Sequence, residues 1–465
     1  MAVKVYNTLS KEKETFESKN KSISMYVCGP TVYNFIHIGN ARVFVFFDVV
    51  RRYLSHLGYK VTYVQNFTDV DDKLIKASIE TGKSVAQIAQ QYTDAYFEDM
   101  DALGVHRADV HPKATEHITQ MIDAIQTLIE KGKAYEVDGD VYFRTLRQDG
   151  YGKLSHQSLE DLQSGARVEV NERKEHPFDF ALWKRAKEGE ISWDTPWGAG
   201  RPGWHIECSV MAKEYLGETL DIHAGGIDLC FPHHENEIAQ SEALNDKPFV
   251  RYWLHNGFIN MENEKMSKSL GNVMRVVDMR KMYSPKAIRY FLLSAHYRNP
   301  INFTSEVMKQ AEQSTERLQT AVDNLRHRRQ ISLSGPVPES LSTQLNQLSK
   351  QFTEEMNDDF NAANGITVLF EAVRVANEWL AQPVLSKESI DALLSWFATY
   401  GEDVLGLVET RAEDVLESDI ESLIEERQDA RKSRDFQRAD DIRDKLLAAG
   451  IILEDTPQGV RWKKK

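Results

Sequence analysis

ISMYVCGPTVYNFIHIGNAR, residues 23–42, decides how the first part of this chain folds. Ile23 to Cys28 has the composition of a strand, Gly39 to Leu57 predicts an amphipathic helix, and Lys60 to Asn66 a second strand. Together they make a β-loop-α-β unit, a candidate nucleotide-binding topology. The loop contains neither G-x-G-x-x-G nor a phosphate-loop lysine, which excludes the dinucleotide and P-loop modes. Gly39 permits close backbone approach, the helix start offers free N–H groups, and His37 and Asn40 can donate to phosphate oxygens. Taken alone, the same residues describe an ordinary capped helix start.

Beyond this unit the pattern changes. Thr115 to Lys131 reads as a helix and Tyr135 to Phe143 as strands, and a Gly/Trp/Pro-rich passage runs from Trp193 to Trp204, so an insertion with its own small sheet is expected. Phe303 to Leu416 has heptad-like apolar spacing with few glycines, which predicts a helical bundle. The last 36 residues read as helix, a short strand at Ile451 to Leu453, and a turn at Pro457 to Gly459.

With 465 residues the chain is long enough for about three domains. Its 57 Lys and Arg against 71 Asp and Glu give a formal net charge of −14, which at first argues against a nucleic-acid partner. The charge is unevenly distributed. Residues 402–429 hold 11 carboxylates against Arg411 and Arg427, whereas residues 430–465 hold 10 basic and 6 acidic side chains and end in Trp462, Lys463, Lys464 and Lys465. RNA therefore stays open as a partner. Cys28, Cys208 and Cys230 are an odd, widely spaced set and not a disulfide framework, so a reducing compartment is expected. The N-terminal MAVKVYNTLSKEKETF lacks a signal-peptide core, and the most apolar run, Val43 to Val50, is short and contains Asp48. These features predict a soluble cytoplasmic protein without a membrane partner.

Lys265-Met266-Ser267-Lys268-Ser269 follows Asn40 by 225 residues and is continued by Leu270-Gly271-Asn272. Two lysines and two small hydroxyl residues in five positions suit a polyphosphate, although a solvated lysine loop explains the pentad by itself. His-Ile-Gly-Asn followed by Lys-Met-Ser-Lys-Ser resembles the paired signatures of the class I aminoacyl-tRNA synthetases, which activate an amino acid with ATP on a Rossmann-like domain. The fourth position of the first signature departs from that family's histidine. Asn40 can donate a hydrogen bond there but carries no charge. The resemblance implies that ATP, accompanied by Mg²⁺, is held by His37, Gly39, Asn40, Lys265, Ser267 and Lys268. Lys268 and Lys265 would take the developing pyrophosphate charge, with His37 near the α-phosphorus.

Cys28 ends the first strand, Cys208 lies in RPGWHIECS, and FPHHENEIAQ carries His233 and Glu237 at i and i+4 on one helix face. His234 offers an i,i+3 alternative. Each cysteine alone reads as an inert buried thiol, and a spacing of 180 residues is no zinc-finger pattern. These segments, with HAGGIDL, DFALWK and the C-terminal RDFQRADDIRDKLLAAGIILEDTPQGVRW, resemble the cysteinyl-tRNA synthetase family over most of the chain. The resemblance implies a zinc ion held by Cys28, Cys208, His233 and Glu237, and a cysteine pocket including Thr68, Trp204 and Asp228, the last suited to the substrate ammonium. Cys230 falls outside this set and reads as core. An apolar pocket separates near-isosteres by only about 10². Zinc prefers thiolate, so selection by metal would make proofreading of serine unnecessary.

The fold class that follows is α/β: a Rossmann-like parallel-sheet catalytic domain with an inserted subdomain, then an all-helical bundle and a small mixed α/β C-terminal domain. The expected bounds are 1–115 and 201–250 for the two halves of the catalytic domain, 116–200 for the insertion, 251–310 for the lysine-loop region, 311–400 for a tRNA-binding bundle and 401–465 for an anticodon-binding domain. Arg431, Arg434, Arg438, Arg443 and Trp462 offer cations and a stacking surface, although nearby aspartates make a solvated helix the simpler account of any one arginine. L-cysteine, ATP and tRNA(Cys) are the implied partners, and a monomer is implied by resemblance alone. A ligase passing cysteine to a small amine, or a non-catalytic relative, are the competing readings. The helical tail speaks against the first, and the intact lysine pentad against the second.

Overall fold

The computed structural model describes residues 2–157, 173–262, 264–265, 273–410, 414–432, 435–448, 451–456 and 459–464. These fall into two units, 1–408 and 409–465.

In the first unit, four parallel strands form the central sheet in the order Val250–Asn256, Leu220–Gly226, Ser22–Val27, Lys60–Gln65. Strand Ser22–Val27 has its sequence successor on one side and a later strand on the other, so the order reverses beside it. In open parallel sheets that switch point leaves a crevice beyond the strand C-termini. Successive side chains alternate between faces. Met25, Val27, Ile222, Ala224, Tyr252 and Leu254 pack with Phe44, Phe47 and Val50 of the helix Ile38–His56. Tyr26, Cys28 and Trp253 face the opposite way, among Ile206 and Met211 of helix Trp204–Leu216 and Ile238 and Ala239 of helix Glu235–Asn245.

The insertion carries a four-stranded antiparallel sheet, Ala134–Val137, Asp140–Phe143, Phe180–Arg185 and Gly200–Pro202. Its last strand crosses the boundary expected at residue 200, because Trp183 pairs with Pro202. The boundary expected after residue 250 falls on the first residue of a central strand, because Val250 already pairs with Leu220. Ile259–Met261 then pairs antiparallel with Glu264–Lys265 and parallel with Ile301–Phe303.

Helices Ser305–Ile331, Glu339–Asn357, Ala362–Leu380 and Lys387–Trp396 form the bundle, and helical structure continues through Val404. It therefore begins before and ends after the expected 311–400, as the apolar spacing from Phe303 onwards requires. Arg289 of helix Pro285–Leu293 ties the helix Ile38–His56 to the chain that follows the bundle. The Asp48 carboxylate accepts from Arg289 Nη2 at 2.7 Å with both side chains fully buried, and Arg52 Nε lies 2.9 Å from the same carboxylate. Arg289 also donates to the carbonyls of Leu405 and Leu103.

The second unit has helices Asp414–Lys432 and Phe436–Ala448 and an antiparallel pair, Ile451–Thr456 with Gly459–Lys464, around a small core of Ile424, Ile442, Leu446 and Ile451. The strand expected at Ile451 to Leu453 is thus one arm of a longer hairpin, and Pro457 and Gln458 of the expected turn lie outside the described residues. No described helix is long and apolar enough to cross a membrane.

Candidate functional site

His37 caps the helix Ile38–His56. Its ring Nδ1 accepts from the Asn40 N–H at 3.2 Å, and Asn40 Oδ1 accepts from the His37 N–H at 3.3 Å, a reciprocal capping box. Asn40, the residue that departs from the family signature, thus supplies the acceptor that closes the cap. With Nδ1 accepting, the imidazole proton is assigned to Nε2. Burial lowers the His37 pKa, with Asp228 opposing, so the ring is neutral at pH 7.

The helix start is fixed from below by Arg42. Its guanidinium is 1% exposed and donates to the carbonyls of Gly257 (2.9 Å), Phe258 (2.9 Å), His296 (3.3 Å) and Asn299 (2.7 Å). The Ile38 N–H donates to Met274 O at 3.0 Å and the Val276 N–H to Ile36 O at 3.1 Å, so the chain beyond the lysine pentad is bonded to the same helix start. Lys265 closes the strand Glu264–Lys265, with its backbone opposite Asn260. Ser267 and Lys268 lie outside the described residues.

A cleft of about 660 Å³ opens at the switch point, and Cys28, His37, Gly39, Asn40, Trp204 and Asp228 all line it. Thr68 does not line the cleft. It is buried behind the Cys28–Thr31 loop, its hydroxyl donating to Glu207 Oε2 at 2.9 Å and its N–H to Pro30 O. A Cβ at Gly226 would lie 2.4 Å from Asp228 Oδ1, so glycine there leaves room for the carboxylate in its present place. Trp204 is 40% exposed and stacks on His233 with ring centroids 4.3 Å apart.

Beneath Trp204, the donor atoms of Cys28, Cys208, His233 and Glu237 lie within 4.8 Å of one another, all buried. Cys28 Sγ is 3.8 Å from Cys208 Sγ and 3.5 Å from Glu237 Oε1, and His233 Nε2 is 3.0 Å from Glu237 Oε1. A second set within the same limit combines Cys28 and Glu237 with His223 and His234. His234 Nε2 is 3.3 Å from Cys28 Sγ, but its Nδ1 is tied to His255 Nε2 at 2.8 Å. His223 Nε2 bonds Glu237 Oε2 at 2.9 Å and its Nδ1 bonds Tyr26 O. Burial would raise the Glu237 pKa, but His223 and His233 outweigh it and hold it at about 2. Burial opposes protonation of His233, but Glu237 and Cys208 carry it up to about 10. A hydrogen bond from Cys28 lowers the Cys208 thiol to about 6 against burial, whereas burial and the neighbouring Cys208 push Cys28 well up. The anionic Cys208 sulfur and Glu237 carboxylate, balanced by the proton they draw to His233, fit a divalent cation, which would take the imidazole nitrogen by displacing that proton. Two sulfurs, one imidazole and one carboxylate are donors that zinc accepts, and the cluster could hold such an ion.

Cys230 is buried, its thiol pushed up to about 12 by burial, and belongs to the core as expected. Sequence reasoning missed His205, His223 and His255. The available signal was that His223 and Trp253 stand at alternate positions of apolar strands, but a histidine in such a strand reads first as core. It also missed Arg275, which lines the cleft and whose Nε donates to Asp278 Oδ2 at 2.6 Å. In the second unit, Arg438 pairs with Glu426 and Arg443 lies 3.7 Å from Asp440, while Trp462 packs on the small core. Arg434 lies outside the described residues.

Residues 14–313 match the model for the tRNA synthetases class I (C) catalytic domain, residues 351–409 the DALR domain, and residues 413–462 the cysteinyl-tRNA ligase anticodon binding domain. The chain is 59% identical over 466 residues to the cysteine–tRNA ligase of Geobacillus thermodenitrificans, covering 100% of this chain and 99% of the relative. It is 58% identical to that of Anoxybacillus flavithermus, with all of both chains covered. Among solved structures, Mycobacterium tuberculosis methionyl-tRNA synthetase in complex with methionyl-adenylate shares the fold, with a TM-score of 0.61 at 13% identity over 83% of this chain and 91% of that one. Identity near 60% along the whole chain, with three family models matched in order, places this chain in the cysteine–tRNA ligase family of class I aminoacyl-tRNA synthetases.

Proposed function

We propose that this chain activates L-cysteine with ATP to cysteinyl adenylate and transfers the cysteinyl group to tRNA(Cys), with zinc at Cys28, Cys208, His233 and Glu237 selecting the thiol. The observation that carries the reading is that Cys28 of the buried four-donor cluster, Trp204 stacked over it, and the capped helix start of His37, Gly39 and Asn40 line one cleft. In the first half-reaction a carboxylate oxygen of cysteine attacks the α-phosphorus in line and pyrophosphate leaves. The protein's contribution is therefore position and charge. His37 donates its Nε2 proton as a hydrogen bond to a phosphate oxygen and, being neutral, moves no charge. The Gly39 N–H and the Asn40 side-chain Nδ2, whose backbone N–H is taken by the cap, donate to the same phosphates at the positive end of the helix. Lys265 and Lys268 neutralise the departing pyrophosphate, and the Ser267 hydroxyl donates a hydrogen bond to it. Asp228 pairs with the substrate ammonium, and Trp204 shields the cluster from water. Bound zinc supplies a thiophilic Lewis acid whose preference for a substrate thiolate over a hydroxyl exceeds the factor of about 10² that shape alone provides. Thr68 shapes the pocket from behind through Glu207. The helical bundle, residues 305–404, takes the tRNA body, and residues 413–462 take the anticodon.

The test is ATP–pyrophosphate exchange with cysteine and with serine, followed by charging of tRNA. Strong exchange with cysteine, negligible exchange with serine and loss on chelation of the metal are expected. Equal exchange with serine overturns metal selection, and exchange without tRNA charging assigns a small-amine ligase instead.

A further inference from the structure

Asn256 ends the central strand Val250–Asn256 and lines the cleft. Its side chain is 1% exposed, yet neither Oδ1 nor Nδ2 has a hydrogen-bond partner. Buried carboxamides are almost always paired, because an unmet donor and an unmet acceptor each carry the full desolvation penalty. A group left so at the wall of a binding cleft is completed by what binds there.

Its place in the sheet narrows what that is. His255, one residue earlier, points to the metal face, where its Nε2 bonds His234. Alternation turns Asn256 to the other face, shared with Leu254 and the helix that His37 caps. The sulfur, and with it the amino acid, belongs to the first face, and the nucleotide to the second. The cleft wall on the second face includes Val43, Phe44 and Ile259, all buried and apolar, a lining for a flat neutral ring and not for phosphate. A phosphate accepts only and would leave Asn256 Oδ1 unmet. An ammonium donates only and would leave Nδ2 unmet. A planar edge with one donor beside one acceptor satisfies both, and an adenine presents its 6-amino group beside a ring nitrogen. Asparagine makes this bidentate pair with adenine elsewhere.

We propose that Asn256 reads the base of ATP, Oδ1 accepting from the 6-amino group and Nδ2 donating to the adjacent ring nitrogen. The proposal rests on the use of ATP inferred above. The test takes the full-length, metal-loaded chain and its Asn256→Ala and near-isosteric Asn256→Asp variants. Calorimetric binding and pyrophosphate exchange are measured with ATP, purine riboside triphosphate, which lacks the 6-amino group, and 2′-deoxy-ATP. In Asn256→Ala the ATP dissociation constant and KM rise about tenfold or more, the native preference for ATP over purine riboside triphosphate collapses, and KM for cysteine and metal content stay within about twofold. Asn256→Asp keeps the acceptor and loses the donor, so it retains part of the preference for the 6-amino group while binding ATP more weakly. Unchanged ATP binding, an undiminished preference for ATP over purine riboside triphosphate, or a rise in KM for cysteine in place of ATP overturns the proposal. Collapse of the discrimination against 2′-deoxy-ATP instead assigns Asn256 to the ribose and equally overturns it. Absence of cysteine-dependent exchange in the native chain defeats the functional reading, whereas calorimetry still reports on Asn256 separately.

Discussion

Replacing Arg42 by lysine tests whether the helix start is held in position from below. The guanidinium spans four carbonyls on two loops, Gly257 and Phe258 on one and His296 and Asn299 on the other, at 2.7–3.3 Å. A single ammonium has three donors at one point and cannot span both loops; Phe258 O keeps the Ile301 N–H and His296 O keeps the Asn299 N–H, so one buried carbonyl, Gly257 O or Asn299 O, loses its partner. At about 1–3 kcal/mol for an unmet buried group, the loss is about 1–3 kcal/mol. Burial lowers Arg42 to about 10, which leaves it ionised at neutral pH, whereas a lysine starts from a lower ordinary value and pays more to stay charged. The same loops lead into the strands around the lysine pentad. A displacement there of about 1 Å lowers turnover about 10²-fold, because the phosphate-binding groups no longer converge. Thermal unfolding and cysteine-dependent pyrophosphate exchange measure the two effects, with metal content as a control. Arg42→Lys with native stability refutes the hydrogen-bond count. Lost stability with native turnover refutes the positioning argument while leaving the count intact.

Cys208→Ser is expected to lower metal content and raise KM for cysteine more than tenfold, with KM for ATP within about twofold, as read by exchange kinetics and metal analysis; an equal loss for ATP makes the residue structural. Asp48→Asn leaves the Arg289 charge buried without its partner, a loss of about 3–5 kcal/mol to be read from chemical denaturation. Burial raises the Asp48 pKa, but Arg289 and Arg52 outweigh it and hold the group below 3.8 in the native state. Its stabilisation is therefore complete above that value and disappears as pH falls through the native pKa. The acid limb of the stability curve should flatten in the variant, and an unchanged limb counts against the ion pair.

Local pattern disclosed the strand-loop-helix-strand unit because alternation and helical periodicity are written into consecutive residues. The candidate cluster was less accessible. Cys28 and Cys208 lie 180 residues apart, and nothing local distinguishes them from Cys230, which the fold leaves in the core. Resemblance nominated the four donors, and geometry brings them together. His223 and His255 went unassigned because their roles depend on which face of the sheet each occupies. Arg42 and Asn256 were invisible for a related reason. One is explained by carbonyls contributed by four distant residues, and the other by partners it lacks.

The cluster also has a chronology. Cys28 is made first and Glu237 comes 209 residues later. At about 5–20 residues per second, the thiol waits roughly 10–40 s on the ribosome before its last companion exists. Through that interval Cys28 is a nascent thiol without its site, so an ion that needs all four donors could be bound by them only after residue 237 has emerged.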